Sequence, residues 1–374
     1  MVDLQSQYKL IEKEIDDAVK EVISNASFIN GPQVKTFCTR LADYLNIARV
    51  IPCGNGTDAI RLALQALNIQ PGDEVIVPAF TYIAAAEMVA SLGITPVLVD
   101  VDPDTFNINV DLLERAITRR TKAIIAVHLF GQACDMEPLM KLAAKYKVKI
   151  IEDNAQSLGA DYTFSDDTVK KAGAIGHVAT TSFFPTKPLG CYGDGGAVMT
   201  ADTDLAEQIR LLANHGQSTK YHHKIIGCNS RLDTLQAAIL NVKMNYMDEF
   251  TRARQKVALY YDRFLSPVSA IKIPAKSLFS THVYHQYTIQ VQNGKRDALQ
   301  LYLKENGIPA IVYYPMAVHE QEGYRWVARI SGDLAIASRL SKEVLSLPIH
   351  SEMTDITMEW IVGRIDQFFK ANNN

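Results

Sequence analysis

Residues 73–102 read DEVIVPAFTYIAAAEMVASLGITPVLVDVD, and this stretch decides the fold. A short β-branched run (DEVIVPAF) is followed by an alanine-rich segment of helical composition (TYIAAAEMVASLG) and by a second run (ITPVLVDVD). Strand, crossover helix and strand in that rhythm form the repeating unit of a parallel sheet. Both runs are apolar with little alternation, as strands are when helices cover both faces of the sheet.

Working outward, the rhythm continues through DLLERAITRR (111–120), TKAIIAVHLFG (121–131), MEPLMKLAAKY (136–146) and VKIIEDNAQS (148–157). The fold class is therefore α/β, with a large domain assigned to residues 1–245. Leu232 to Leu265 has helical periodicity and contains neither Gly nor Pro, so one long helix is expected to lead out of that domain. Beyond Ser266 the texture changes. Strand-like HVYHQYTIQV and GIPAIVYY alternate with helical DALQLYLKEN and ASRLSKEVLSL, which predicts a smaller α+β domain over 246–374.

A chain of 374 residues supports a sizeable core divided between two units. With 48% apolar residues, 21% charged residues and a net charge of −3, it has the profile of a soluble enzyme and no electrostatic case for nucleic acid. The first residues, MVDLQSQYKLIEKEIDD, lack the basic start and apolar stretch of an export signal. No run approaches the roughly 18 apolar residues that span a bilayer. The five cysteines, Cys38, Cys53, Cys134, Cys191 and Cys228, are scattered and form no Cys-x-x-Cys pair, which favours reduced thiols in a cytoplasm.

Three segments carry chemistry. In CGNGTDAIRLALQAL (53–67), glycines and a threonine precede an amphipathic helix expected to start near Asp58. Such a turn aims backbone N–H groups and the helix dipole at an anion, making Gly56 and Thr57 candidates to hold a phosphate. Thr57 or Asp58 serves equally well as a simple helix cap. The glycines do not fit G-x-G-x-x-G, which argues against a dinucleotide site.

In VKIIEDNAQSLGA (148–160), Asp153 ends a buried strand, at the edge where open α/β sheets place ligands. A carboxylate there can pair with a protonated pyridine nitrogen, and Gln156 can reach a ring hydroxyl. Asp153 as a plain cap of the following turn is the alternative.

In TTSFFPTKPLGCYGDGGAVMT (180–200), Pro188 keeps Lys187 out of a continuing helix, and a glycine-rich turn follows. A lysine fixed on a turn inside a cleft can form a Schiff base with an aldehyde cofactor and can carry a proton between carbon atoms. Ser182 is a further phosphate candidate. Taken alone, a lysine is most often a solvated surface residue.

In order and spacing, GNGTDA, PAFTY, EDNAQSLGA, SFFPTKPLGCYGDGGA, HGQ and NSRLDTLQAAIL resemble the sugar aminotransferases of the DegT/DnrJ/EryC1/StrS family, over nearly the whole chain. The resemblance implies a fold-type I transferase, with a mostly parallel mixed sheet covered by helices, that depends on pyridoxal 5′-phosphate (PLP). It implies that Lys187 is the Schiff-base lysine, that Asp153 pairs with the pyridine nitrogen, that Gln156 meets the ring hydroxyl and that Tyr82 lies over the ring. By the same mapping Gly56, Thr57 and Ser182 bind the phosphate, and Asn229 reaches it from the partner subunit of a homodimer. The implied reaction moves the amino group of L-glutamate onto a keto sugar carried by a nucleotide, in surface polysaccharide or amino sugar biosynthesis.

Within the family the motifs are most similar to 3-aminotransferases of UDP-2-acetamido-2-deoxy-3-oxo-glucuronate, which makes Arg231 a candidate for the sugar carboxylate through bidentate pairing. A structural salt bridge is the other reading of Arg231. Where such relatives often show His-Tyr-Pro, this chain has Tyr313, Tyr314 and Pro315. Tyr313 and Tyr314 are the remaining substrate candidates, and the exchange leaves open a neutral 6-deoxy 3-keto sugar on dTDP, or a 4-keto sugar. A sugar dehydratase of the same fold would carry histidine in place of Lys187, and a non-catalytic PLP-binding regulator is the alternative from another class. His222 and His223 are read as a loop with no metal, and His285 and His319 as structural histidines.

Overall fold

The computed structural model describes residues 1–371. Its centre is an eight-stranded sheet in the order Arg49–Cys53, Gly196–Thr200, Val178–Ser182, Lys149–Asp153, Thr121–Val127, Glu74–Pro78, Thr95–Val99, Arg329–Ser331. Gly196–Thr200 pairs antiparallel with both of its neighbours and every other pairing is parallel, so a single strand runs against the rest. Expected and observed architecture agree: an α/β fold built on a mostly parallel mixed sheet.

Two apolar layers sandwich the sheet. Val75, Val77, Ile125 and Ile151 face one layer with Leu62 and Leu64 of the helix Gly56–Ala66, while Ile76, Ile124 and Ile150 face the other with Leu139 of Met136–Tyr146. Each fully buried aliphatic side chain contributes about 1.5–3 kcal/mol of transfer free energy, and this two-sided burial is why the strands read as continuous apolar runs.

A second, smaller layer forms from Met247 onward. Ile271–Lys272, Tyr287–Val291 and Val344–Leu347 make an antiparallel sheet covered by Met247–Leu265, Arg296–Glu305 and Asp355–Ala371, around Tyr261, Tyr287, Leu303 and Phe368. This part of the chain also returns to the large sheet. Arg329–Ser331 adds its last parallel strand, and the carboxylate of Asp100 accepts from the backbone N–H groups of Ile336 and Ala337 at the start of Ala335–Glu343.

Three expectations need correction. The long helix over 232–265 is two helices, Thr234–Lys243 and Met247–Leu265, joined by the 3₁₀ turn Met244–Tyr246. Arg40 braces the break, its guanidinium donating to the Asn241 carbonyl at 2.5 Å and to the Asn245 side chain at 2.7 Å. That carbonyl is the acceptor Asn245 N–H would use in an unbroken helix. In ASRLSKEVLSL the helix stops at Glu343, and Val344–Leu347 is the buried partner strand of Tyr287–Val291. GIPAIVYY forms no regular strand: Ile311 makes one bridge to Ser346, and the following residues turn toward the large sheet.

Candidate active site

The carboxyl ends of the central parallel strands converge on one cavity of about 600 Å³. Gly56, Thr57, Tyr82, Asp153, Gln156, Ser182, Lys187, Tyr313 and Tyr314 all line it, bringing together residues from 56 to 314 in the sequence. Asn229 and Arg231 are not among the lining residues. Asn229 is exposed, bridged to Asn214, and Arg231 is half-buried behind the Gly54 turn.

At one end of the cavity the helix Gly56–Ala66 begins. Its cap is Asn55, whose side chain accepts from Asp58 N–H at 2.8 Å, in place of the expected Thr57 or Asp58. Asp58 instead accepts from Ser230 Oγ at 2.6 Å, and that hydroxyl in turn accepts from Gly54 N–H at 2.9 Å, fixing the turn. First-turn N–H groups have no intrahelical acceptor, so those of Gly56 and Thr57 are available to an anion. Glycine is required at 56, because a Cβ there would stand 2.7 Å from the Cβ of Ser182. The same packing brings Gly196 against Asn55, where a Cβ would meet backbone carbon at 2.4 Å.

Lys187 lies on the turn that joins Val178–Ser182 to Gly196–Thr200. Its own N–H donates to the Phe184 carbonyl at 2.9 Å, and Cys191 N–H closes the loop on the Phe183 carbonyl at 2.8 Å. Burial pushes the Lys187 ammonium down to about 8, and Asp153 partly offsets that shift. For Asp153 burial acts the other way, raising the carboxyl, while an Ala155 N–H bond at 3.1 Å and the charge of Lys187 pull it back. Burial thus disfavours the charged form of both groups, and each partly restores the charge of the other.

Below Asp153 a buried network fixes the strand end. Glu152 accepts from the N–H groups of Gly173, Ile175 and Gly176 at 2.6–2.8 Å and from His128 Nε2 at 2.9 Å. His128 Nδ1 takes the Cys134 N–H at 3.1 Å, so the imidazole carries its proton on Nε2 and is neutral. Burial raises Glu152, but these bonds, led by that from His128, turn its balance downward and keep it ionised. The backbone N–H of His128 also donates to the Asp153 carbonyl at 3.0 Å.

Tyr82 is 56% exposed at the cavity mouth, its ring 6.1 Å from that of Tyr314. Tyr314 packs edge-on against Phe80 at 6.0 Å and Tyr313 at 5.9 Å.

His285, expected from the sequence to be structural, is buried at the cavity wall. It lines the cavity beside Lys187, and burial together with the charges of Lys187 and Arg254 keeps it neutral. Phe184, Asp194 and Gln286 also line the cavity without having been singled out. Asp194 stood inside a quoted motif, whereas nothing local in HVYHQYTIQV distinguishes His285 from His282. His319 bonds Ser338 at 3.0 Å, and His222–His223 is an exposed two-residue strand paired with Gln217–Thr219. Among the described residues no group of three or more His, Cys, Asp or Glu side chains can hold a metal ion, and no helix is long and apolar enough to cross a membrane.

The site fits PLP by its own geometry: a glycine cradle that a Cβ would fill, free helix N-terminal donors, a buried carboxylate and an amine with a depressed pKa in one cavity. Known proteins agree. The chain is 46% identical over 364 residues (97% of this chain, 98% of the other) to the UDP-2-acetamido-2-deoxy-3-oxo-D-glucuronate aminotransferase of Pseudomonas aeruginosa. It is 44% identical over 372 residues (99% and 98%) to a protein of Geobacillus stearothermophilus named a pleiotropic regulatory protein. A crystal structure of a DegT DnrJ EryC1 StrS aminotransferase from Brucella abortus superposes with a TM-score of 0.93 at 40% identity, covering 98% of each chain. The model of one family matches residues 9–366: the chain belongs to the DegT/DnrJ/EryC1/StrS aminotransferase family, and its cofactor is pyridoxal 5′-phosphate.

Proposed function

We propose that this protein moves the amino group of L-glutamate onto the keto group of a nucleotide-linked sugar, with C3 of UDP-2-acetamido-2-deoxy-3-oxo-glucuronate as the leading acceptor. The observation that carries the reading is the juxtaposition of Lys187 and Asp153 in one buried cavity with the Gly56–Thr57 helix start. The acceptor is suggested by the relative from P. aeruginosa. Bound PLP supplies an aldehyde that carries the amino group and a ring that accepts electrons.

In this reading the residues divide the work. Lys187, neutral in a large fraction of molecules near pH 8, would hold the cofactor through its Nζ and, once released, would accept and return a proton at that atom. Asp153 would pair with the protonated ring nitrogen and keep the ring cationic. Gln156 donates to the ring hydroxyl and Tyr82 covers the ring. Gly56, Thr57 and Ser182 bind the phosphate, and Asn229 reaches it from the partner of a homodimer, which is consistent with its exposure outside its own chain's cavity. Arg231 is the candidate partner of the sugar carboxylate, and Tyr313 and Tyr314 are the other substrate contacts. We place the enzyme in the cytoplasm, in surface polysaccharide or amino sugar biosynthesis.

A regulatory role without catalysis is the second reading, favoured by the name of the G. stearothermophilus relative. The visible spectrum separates the two. A yellow wild type bleached by L-glutamate, with Lys187→Ala unable to turn over and a keto nucleotide sugar restoring the colour, supports the transferase. A bound cofactor indifferent to every amino donor rejects it.

A further inference from the structure

A second, smaller cavity lies on the other side of Lys187. It is small, about 20 Å³, which is room for one water-sized or halide-sized occupant. Thr186, Lys187 and His285 form a wall common to the two cavities, and the rest of the lining includes the turn around Lys187, the first residues of the chain, Lys243, Phe250, Arg254 and Ile349–Ser351.

The lining has a one-sided charge. It includes the cations Lys187, Lys243 and Arg254, and none of its residues is Asp or Glu. Lys243 is 2% exposed and Arg254 7% exposed, and the Nζ of the first and the Nη2 of the second have no hydrogen-bond partner. Lys243 Nζ has only the face of Tyr192, 4.3 Å from the ring centroid, and Arg254 spends its Nε on the Val283 carbonyl at 3.1 Å. Glu352 is the acid whose field reaches both cations, yet its carboxylate is engaged by Ser351 Oγ at 2.6 Å and His350 Nδ1 at 3.3 Å. Two buried cations facing one carboxylate leave a single positive charge uncompensated. Burying such a charge is costly unless a counterion comes with it.

We propose that this cavity binds one small monovalent inorganic anion of the size of chloride, held by Lys243 and Arg254. A dicarboxylate such as the amino donor is far too large for the space. Burial pushes Lys243 down to about 8 and Arg254 down to about 10, and Glu352 restores only part of either shift, so both remain charged near neutral pH and a bound anion would raise both values. Because Lys187 forms part of the wall, the anion also adds negative potential behind the amine that carries the chemistry. The inference does not depend on the identity of the acceptor sugar.

The test uses the wild-type holoenzyme crystallised in sodium bromide, with anomalous diffraction, alongside melting midpoints in sodium chloride and sodium gluconate at matched ionic strength. The expected result is a bromide peak between Lys243 and Arg254, with a midpoint that rises and saturates with chloride by on the order of 2 °C but not with gluconate. Lys243→Met should abolish that halide response. If this variant fails to fold, the wild-type bromide map still decides. An ordered water, or a side chain of a second copy, in place of the bromide overturns the proposal. So does a bromide peak with no chloride-dependent midpoint, which would be an adventitious ion only.

Discussion

Gln156 holds its amide in one orientation: Oε1 accepts from Phe130 N–H at 2.8 Å, and Nε2 therefore turns to the Tyr314 hydroxyl at 3.2 Å. A backbone N–H can only donate, so the amide cannot be flipped without losing that bond. One N–H of Nε2 is spent on Tyr314, and the other is left to offer an acceptor in the cavity.

Tyr314→Phe should therefore keep the packing on Phe80 while loosening Gln156. One hydrogen bond of this kind is worth about 1 kcal/mol, so we expect PLP to bind the cofactor-free protein roughly 3- to 10-fold more weakly. Absorbance titration measures it. An unchanged dissociation constant would show that Tyr314 does not position the amide.

The low pKa of Lys187 has a kinetic signature. The neutral amine is the nucleophile, and a group lowered from 10.5 to about 8 is neutral across the interval where an ordinary lysine is still charged. The rate at which cofactor-free protein captures PLP should rise with pH through a midpoint near 8 and flatten by pH 10. Asp153→Asn should move that midpoint lower, since Asp153 holds the pKa up. The linkage sign follows: between pH 8 and 10.5 the unfolded chain binds the proton and the folded one does not. Lys187→Met should thus be more stable than wild type below pH 8, with the gap closing toward pH 10.5. A capture rate still climbing steeply at pH 10 would contradict the shift.

Gly56→Ala tests the cradle. A methyl group placed 2.7 Å from Ser182 Cβ must push the helix start off the strand end, because that Cβ is fixed to the strand backbone. We expect a loss of about 1–3 kcal/mol in denaturant unfolding, together with weaker PLP binding. Full retention of both would mean the two segments separate freely.

Glu152→Ala removes the acceptor of three backbone N–H groups and of His128. Each buried donor left alone costs about 1–3 kcal/mol, so the variant should lose at least about 3 kcal/mol or fail to accumulate folded. Glu152→Gln, which keeps part of the acceptor set, should lie between. A neutral alanine variant would require water to replace the carboxylate.

The proposed placing of Asn229 in the partner's site predicts complementation. Lys187→Ala and Asn229→Ala homodimers should each be inactive or strongly impaired. Mixed dimers place a wild-type Lys187 opposite a wild-type Asn229 once, so random mixing should restore about a quarter of wild-type activity. Absence of any recovery would place Asn229 outside the partner's site.

Much of the sheet was legible in the sequence because it follows from local composition. Strands buried on both faces must be continuously apolar, and the stretch 73–102 shows this without reference to anything distant in the chain. Asp153, Gln156 and Lys187 could be singled out for a related reason: strand ends and glycine-rich turns leave marks in neighbouring residues. What the sequence could not decide were events set by residues far apart. The break at Met244–Tyr246 is braced by Arg40, some two hundred positions away, which takes a carbonyl from the helix. His285 enters the cavity only because the Tyr284–His285 backbone packs against Gly131, where a Cβ would stand 2.7 Å from Tyr284 N. Lys243 and Arg254 read as ordinary cations of a helical segment, and only tertiary packing buries them together against a cavity without a carboxylate. Local propensity and burial pattern are written residue by residue, whereas side-chain partnerships across the fold exist only after the layers have closed.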